Sequence, residues 1–182
     1  MNQTSDLTER TLSREEKYQG SFLSLHVDQV QLPNGRTSIR EVVEHVDGVA
    51  ILALDDRNNV LTVTQYRYVI GKPLLEIPAG KLEPGEDPVA GALRELKEET
   101  GAVPDTFLPM GVTLPSPGCL SERLYLFLAK GLHMEEQHLD EDEFLNVERI
   151  PFSEMVHRVM DGEIEDGKTI AAVLKAKVLL NL

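Results

Sequence analysis

An unbroken apolar run at residues 49–54, Val-Ala-Ile-Leu-Ala-Leu, limits the folds open to this chain. A run of this kind is typical of a β-strand covered on both faces, since a half-exposed strand alternates polar and apolar residues. A polar turn at residues 55–59 separates it from a second strand-like run at residues 60–66. The sequence therefore predicts a sheet with other protein layers on both of its faces.

The order of the other elements favours an α/β (α+β) protein with a mixed sheet. Strand-like residues 22–32 lead into Pro33-Asn34-Gly35, a strong turn signal, and residues 39–43 are expected to return as the second strand of a hairpin. Further strands and helices are expected near residues 106–113, 123–130, 143–150, 151–162 and 169–180. Strands and helices do not alternate regularly, which argues against a repeated βαβ pattern.

We expect three segments along the chain. Residues 1–16 are polar without periodicity and are expected to form a flexible arm. Residues 17–46 are expected to form an N-terminal antiparallel strand extension, and residues 47–182 the main domain.

The excess of acidic residues limits the kinds of molecule that this chain is expected to bind. Asp and Glu number 31 against 18 Lys and Arg, a formal net charge of -13. That field repels phosphate backbones, so neither nucleic acid nor an anionic membrane surface is an expected partner. A small phosphate ligand can still bind to this acidic protein where a metal ion lies between the phosphate and the carboxylates.

The sequence predicts a cytoplasmic location. Cys119 is the single cysteine, so no intrachain disulfide can form, as expected in a reducing compartment. The start of the chain is polar and has no apolar segment like that of a secretory signal. No apolar run approaches the ~18 residues that a membrane span needs.

A helix is predicted from residue 88 to residue 100 because both of its ends carry capping residues. Asp87 suits the N-cap, Pro88 the first helical position, and Gly101 the position after the last turn. The residues expected to form its buried stripe, at i, i+3, i+4 and i+7, are Val89, Ala92, Leu93 and Leu96.

Three glutamates crowd one flank of this helix, Glu95, Glu98 and Glu99. Glu95 and Glu99 stack one turn apart, where like charges destabilise a helix, and they lie near its C-terminal end, where the macrodipole disfavours negative charge. A divalent cation would neutralise them, and an all-oxygen ligand set suits Mg²⁺ or Mn²⁺ better than Zn²⁺. The alternative is an ordinary solvated face.

Residues 80–102 resemble the Nudix box. The positions that match its pattern, G-x5-E-x7-R-E-U-x-E-E-x-G-U with U apolar, are Gly80, Glu86, Arg94, Glu95, Leu96, Glu98, Glu99, Gly101 and Ala102. The resemblance implies the Nudix fold, a mixed β-sheet sandwiched between helices. It also implies hydrolysis of a nucleoside diphosphate linked to another moiety, with Mg²⁺ or Mn²⁺ as cofactor.

The resemblance assigns roles to individual residues. Glu95 and Glu99 would be the main metal ligands, with Glu98 contributing to the metal cluster. Arg94 would orient the glutamates through hydrogen bonds. Ala79, just before the box glycine, would offer its carbonyl oxygen to a metal ion.

The general base is expected in the acidic loop at residues 139–143. Glu143 aligns best with the late catalytic carboxylate of related enzymes, and Glu141 is the second candidate. A solvated acidic turn is the alternative.

Segments outside the box resemble the ADP-ribose pyrophosphatase branch of the family. Pro117 lies sixteen residues after Gly101, where that branch carries a proline, and Ser121-Glu122-Arg123 continues the pattern. Residues 39–45, 65–67 and 76–80 agree with it. Pro117 and Gly118 could also be simply part of a rigid loop.

The branch implies a substrate and the residues that contact it. The expected reaction cleaves ADP-ribose to AMP and ribose 5-phosphate. Arg67 should meet the diphosphate, Arg40 and Glu41 should lie near the adenine, and Phe22 should stack on it. The alternatives are surface ion pairs for the two arginines and a core position for Phe22, with Tyr18 as the other stacking candidate.

The branch also implies a homodimer in which the N-terminal strands of one subunit contribute to the site of its partner. Two other functions stay open: hydrolysis of another nucleoside diphosphate sugar, such as a GDP-sugar, and nucleotide binding without catalysis. The second is less favoured because the chain keeps every carboxylate of the box.

Overall fold

The computed structural model describes residues 6–139 and 143–181, which fold as two compact units. The N-terminal unit contains the described residues up to Val46 together with Ser116–Glu122. The main unit contains Asp47–Pro115 and the described residues from Arg123 onward.

The N-terminal unit is a three-stranded antiparallel sheet of β1 (Arg10–Gln19), β2 (Leu23–Gln31) and β3 (Thr37–His45), in that order. The predicted hairpin is confirmed. Between β2 and β3, the N–H of Leu32 donates to the carbonyl of Arg36 over 2.8 Å, and Gly35 adopts a φ of 81° that suits the turn.

Strand β1 corrects the expected flexible arm, because residues 10–16 belong to it. All of its side chains are exposed, so burial imposes no apolar alternation that the sequence could show. Backbone pairing with β2 holds the strand, and Arg14 adds a two-pronged bond to Asp28, from Nε over 2.9 Å and from Nη2 over 3.0 Å.

The main unit is built on a seven-stranded mixed sheet. Its strands are β4 (Gly48–Leu54), β5 (Asn59–Arg67), β6 (Lys72–Glu76), β7 (Ala79–Lys81), β8 (Ala102–Thr113), β9 (Leu124–Met134) and β10 (Leu145–Pro151). The order is β10-β5-β4-β9-β8, with β6 beside β5 and β7 beside β4. Strands β4 and β9 are parallel, and the other pairs are antiparallel.

Three helices of the described residues cover this sheet: α1 (Pro88–Thr100), α2 (Phe152–Met160) and α3 (Gly167–Leu180). None of them is long and apolar enough to span a membrane. The strands and helices expected after residue 100 are present, with ends shifted by a few residues.

Strand β4 is buried along its whole length, as its apolar run predicts. Its alternate side chains serve two cores. Leu52 belongs to the core that includes Met155 of α2 and Val173 of α3, whereas Ile51 belongs to the core that includes Leu96 of α1. The predicted sheet sandwiched between helices is therefore confirmed.

Helix α1 begins and ends where its capping residues predict. The Asp87 carboxylate accepts hydrogen bonds from the N–H groups of Val89 over 2.9 Å and Ala90 over 3.2 Å. At the other end, Gly101 has a φ of 73° and donates its N–H to the carbonyl of Lys97 over 2.7 Å.

The buried face of α1 is rotated from the predicted stripe. Val89 and Leu93, expected in the core, are 43% and 36% exposed. The buried residues are Gly91, Ala92, Glu95, Leu96, Glu99 and Thr100. At about 100° per residue, this moves the buried face by about 60° toward the glutamates. Apolar periodicity could not predict it, because carboxylates are rarely the buried residues of a helix.

Replacing the N-cap of α1 tests its contribution to the fold. We expect Asp87→Ala to lower the free energy of unfolding by about 1 kcal/mol, because two N–H groups of the first turn lose their acceptor. Urea denaturation followed by circular dichroism measures the change. Asp87→Ser keeps a side-chain acceptor and should recover most of the loss, so equal midpoints for the two variants would contradict the capping role.

Candidate active site

Arg94 of α1 links the carboxylates of the loop and the helix. Its Nε and Nη2 both donate to Glu86 over 2.9 Å, and its Nη1 donates to Glu95 and to Glu98, each over 2.9 Å. Its Nη2 also reaches the carbonyl of Lys81 over 3.1 Å. These contacts are the ones that an orienting role requires, and the role itself stays a prediction.

Glu86 fastens the loop to the helix. The Arg94 guanidinium lowers the pKa of Glu86 to about 2, and the N–H of Glu83, which donates to the same carboxylate over 2.9 Å, adds to the effect. The bond between Arg94 and Glu86 also raises the pKa of Arg94. Glu86 is therefore ionised at neutral pH and holds the loop as a fixed entrance to α1.

Glu99 is the most deeply buried carboxylate of α1, at 2% exposure. Its Oε2 accepts a hydrogen bond from the N–H of Ala79 over 3.0 Å. Burial is the main cause that raises the pKa of Glu99 to about 8, and the charges of Glu95 and Glu143 act in the same direction. The hydrogen bond from Ala79 acts in the opposite direction. A carboxyl group in this environment ionises at neutral pH only when a nearby positive charge stabilises its anion.

Glu95 lies one turn before Glu99 and is 8% exposed. Burial raises the pKa of Glu95 while Arg94 opposes the shift. Its carboxylate lies against Gly80, where a Cβ atom would lie only 2.0 Å from the Glu95 Cδ. The glycine that opens the loop is thus explained by the close approach of a metal-ligand candidate.

The donor set fits a hard divalent cation in its chemistry. Glu95, Glu98 and Glu99 offer only carboxylate oxygens, which suit Mg²⁺ or Mn²⁺. Among residues 6–139 and 143–181, no three acidic, histidine or cysteine side chains already converge in positions that could hold a metal. Instead Arg94 binds Glu95 and Glu98, and the Ala79 N–H binds Glu99. The expected carbonyl contact of Ala79 to a metal stays a prediction.

Glu143, the first candidate for the general base, lies just before β10 and is half-buried. Its charge raises the pKa of both Glu95 and Glu99, so it acts electrostatically on the two buried carboxylates. The second candidate, Glu141, lies outside the described residues.

A second charged cluster joins the ends of β5 and β6 to the start of α3. Glu76 is 1% exposed and accepts hydrogen bonds from Arg67 Nε over 2.7 Å and Nη2 over 2.6 Å. Lys168 donates to the same carboxylate. Arg67, expected at the diphosphate, therefore forms an ion pair, and it also lines a cleft of about 510 Å³ together with Glu76 and Lys168.

Sequence reasoning missed Glu76 and Lys168. Glu76 carries a detectable signal, since it follows two leucines and precedes Ile77, and a carboxylate within an apolar run is rarely buried unless it is paired. Lys168 has no such signal, because it is 92 residues from Glu76 along the chain.

Phe22 and Arg40 belong to the N-terminal unit. Phe22 is 47% exposed and packs edge-to-face on His45 with ring centroids 5.4 Å apart, so it is not a core residue. Arg40 pairs with Glu9 through Nε over 2.9 Å, as in the surface ion pair considered as its alternative. Their contacts with a substrate stay predictions.

Three other predicted substrate-binding residues are also in the N-terminal unit. Glu41 is exposed on β3, where it lies opposite Val27 of β2. Pro117 and Gly118 are exposed in a turn that closes with a hydrogen bond of 3.1 Å from the N–H of Cys119 to the carbonyl of Ser116. The substrate contacts expected of these three residues stay predictions.

Two families of known proteins match the chain. The NUDIX domain family matches residues 44–173, and the nucleoside diphosphate sugar hydrolase N-terminal domain family matches residues 9–43. The fold is similar to a crystal structure described as an ADP compounds hydrolase, with a TM-score of 0.85, 21% sequence identity, and coverage of 98% of this chain and 97% of that chain.

Several individual proteins are similar in sequence. A methanol dehydrogenase activator of Bacillus methanolicus is 42% identical over 91% of this chain and 90% of its own length. An ADP-ribose pyrophosphatase of Bacillus subtilis is 40% identical over 92% of this chain and 91% of its own length. A GDP-mannose pyrophosphatase of Yersinia enterocolitica is 36% identical over 77% of this chain and 78% of its own length.

The buried Glu99 predicts how stability depends on pH in metal-free buffer. Its pKa is about 8 in the folded protein against an ordinary value of 4.5. The folded state binds this proton more tightly than the unfolded state does. The contribution of the protonated Glu99 to the free energy of unfolding is therefore fully present below pH 4.5 and is lost as the pH rises through about 8. Glu99→Gln stays neutral and should be more stable than the wild type at pH 8, by on the order of a few kcal/mol.

Urea denaturation in EDTA at several pH values measures this effect. Glu154→Gln, on the exposed face of α2, removes the same charge without burial and is the control. If the wild type and Glu99→Gln showed the same change in free energy of unfolding between pH 5 and pH 8, the assigned burial cost would be wrong.

Proposed function

The chain belongs to the Nudix family, and from this premise we propose that it hydrolyses ADP-ribose to AMP and ribose 5-phosphate with Mg²⁺ or Mn²⁺. The observation that carries the proposal is the group of Glu95, Glu98 and Glu99 on one face of α1, joined to the loop by Arg94 and Glu86. The family resemblance predicted from residues 80–102 is confirmed.

The substrate is supported by the relatives. The Bacillus subtilis protein that is 40% identical over nearly the whole chain is named an ADP-ribose pyrophosphatase. The family that matches residues 9–43 is described by nucleoside diphosphate sugars, the chemical class of ADP-ribose. The Bacillus methanolicus relative is named for its effect on a dehydrogenase, and its name gives no substrate.

In the proposed reaction, Glu95, Glu98 and Glu99 would hold the divalent ion. When bound, the ion supplies positive charge against the diphosphate and makes the attacking water more acidic. Arg94 limits the motion of Glu95 and Glu98, and Arg67 donates to phosphate oxygens at the neighbouring cleft. Glu99 is 2% exposed and lies in a region of low dielectric, where a contact between its carboxylate and a cation is stronger than in water.

We assign the proton transfer to Glu143. The carboxylates of α1 are engaged as ligands, so a separate carboxylate must accept the proton of the water. The water oxygen bonds to one phosphorus while the bond from that phosphorus to the bridging oxygen breaks, and the released phosphate takes up a proton. Glu141 stays the alternative base.

The assembly and location stay proposals that rest on the family resemblance. In the proposed homodimer, Phe22, Arg40 and Glu41 of one subunit contribute to the adenine side of the site in its partner. Pro117 and Gly118 are proposed to contact the same substrate. A cytoplasmic enzyme agrees with the single cysteine of the chain.

Two variants separate the ligand role from the base role. We expect Glu99→Gln to lose both Mn²⁺ binding and turnover, because it removes a metal ligand. Glu143→Gln should keep Mn²⁺ binding while kcat falls by at least about 100-fold, which is the usual contribution of a positioned base. Calorimetric Mn²⁺ titration and a steady-state assay with ADP-ribose measure the two properties.

The exposed Glu154→Gln is again the matched control and should behave as the wild type in both assays. A Glu143→Gln variant with wild-type kcat would reject Glu143 as the base. A Glu99→Gln variant that still binds Mn²⁺ and turns over normally would reject the metal assignment.

A substrate panel tests the specificity, since a relative at 36% identity is named a GDP-mannose pyrophosphatase. With Mg²⁺, we expect kcat/KM for ADP-ribose to exceed that for GDP-mannose, with AMP and ribose 5-phosphate as the products on anion-exchange chromatography. Preferred turnover of GDP-mannose would replace the proposed substrate. Tight binding of ADP-ribose without turnover would favour a nucleotide-binding sensor.

A further inference from the structure

The cluster around Glu76 contains more positive charge than the buried carboxylate requires. Arg67 already binds both carboxylate oxygens of Glu76, and this pair is neutral. Lys168 adds a second cation on Glu76 and a bond of 3.0 Å to Asp166. Asp166 also accepts bonds from the N–H of Thr169 over 3.0 Å and from its hydroxyl over 2.6 Å, as the N-cap of α3. The charge of Glu76 is already balanced by Arg67, so it does not by itself explain why Lys168 is also placed there.

Both cations keep hydrogen-bond donors that the described residues do not use. A guanidinium has five N–H groups, and within the described part of the chain the guanidinium of Arg67 makes only the two bonds to Glu76. An ammonium has three, and the bonds to Glu76 and Asp166 account for two of those on Lys168. Arg67 and Lys168 can each accept a further anionic partner without giving up Glu76.

These donors lie on the wall of the cleft of about 510 Å³. The side chain of Arg67 is 38% exposed and that of Lys168 is 12% exposed, so the ammonium is largely desolvated. A charge in such a place interacts more strongly with an anion than one on the surface.

The cleft is connected to the metal-ligand candidates through the backbone. Glu76 is three residues before Ala79, whose N–H donates to the Glu99 carboxylate over 3.0 Å. An anion held by the two cations would therefore be close to the charges of the metal site.

We propose that Lys168 is a second cationic contact for the substrate diphosphate, beside Arg67, and that Glu76 is the positioning residue that holds both side chains at the cleft. This inference rests on the proposed function and extends it to two residues outside the Nudix box. Arg67 supplies a planar fork of donors and Lys168 a compact charge, which together suit the several oxygens of a diphosphate. The shared carboxylate of Glu76 offsets the repulsion between the two cations.

The test measures binding of inorganic pyrophosphate and of a non-hydrolysable α,β-methylene analogue of ADP-ribose, with Mg²⁺ present. We expect Lys168→Met to weaken both by about tenfold or more, the usual effect of losing a charge-assisted contact. In turnover of ADP-ribose, KM should rise more than kcat falls. Lys168→Arg should recover most of the affinity.

Glu76→Gln tests the positioning role. It keeps the shape of the side chain but removes the charge that Arg67 and Lys168 share, so both ligands should bind at least tenfold more weakly. Lys177→Met is the matched control, because it removes the same charge from an exposed position on α3 and should leave affinity unchanged. Thermal melts show which variants are folded.

Unchanged pyrophosphate affinity in folded Lys168→Met would overturn the contact, and unchanged affinity in folded Glu76→Gln would overturn the positioning role. If Lys168→Met does not fold, the double variant Lys168→Met with Asp166→Asn is measured in its place, because it removes one charge of each sign. Weaker pyrophosphate binding by the double variant would support the contact, and unchanged binding would overturn it.

The failure of this inference is distinguishable from the failure of the proposed function. If the wild type does not hydrolyse ADP-ribose but its pyrophosphate binding depends on Lys168, only the substrate proposal fails. If the wild type hydrolyses ADP-ribose and Lys168→Met binds and reacts normally, only the role of Lys168 fails.

Discussion

The burial of Glu95 and Glu99 on the sheet-facing side of α1 determines how the main unit is built. Burying a carboxylate costs free energy unless hydrogen bonds or opposite charges compensate for it. Arg94 donates to Glu95, whereas among the described residues the Glu99 carboxylate accepts its hydrogen bond from the N–H of Ala79, and burial raises the pKa of Glu99 to about 8. Burial thus raises the pKa of both carboxylates, and the Arg94 guanidinium opposes this shift at Glu95.

The surrounding structure makes this burial possible. The caps at Asp87 and Gly101 fix the ends of α1, and Leu96 anchors the helix in one of the two cores. Gly80 leaves space for the Glu95 carboxylate, which a methyl group would occupy. The local stability of the helix thus comes from its caps and its apolar contacts, and the carboxylates that weaken it are the groups that the proposed chemistry needs. Stability given up at a functional site and supplied elsewhere is a common arrangement.

The sequence predicts the fold well where burial and turn chemistry leave a local pattern. The run at 49–54, the turn at 33–35 and the caps of α1 are all found in the structure, because each depends on neighbouring residues. Strand β1 was not predicted, since all its side chains are exposed and its pairing with β2 is a backbone property. The rotation of α1 was not predicted either, because it follows from packing against the sheet. The box motif identified the carboxylates, whereas Lys168 could be found only from the fold that brings it to Glu76.

The net charge of the protein is -13, although its proposed substrate is an anionic diphosphate. The overall field repels such a substrate, so attraction must come from short-range contacts inside the site. Arg94 cannot provide much of it, because three carboxylates already use its donors. Arg67 and Lys168 retain donors, and their partner Glu76 is 1% exposed, so their charges are fixed in a region that water screens little. The positive charge that we propose for this substrate is therefore local: two cations anchored on one buried carboxylate, and a divalent ion that the carboxylates of α1 would hold.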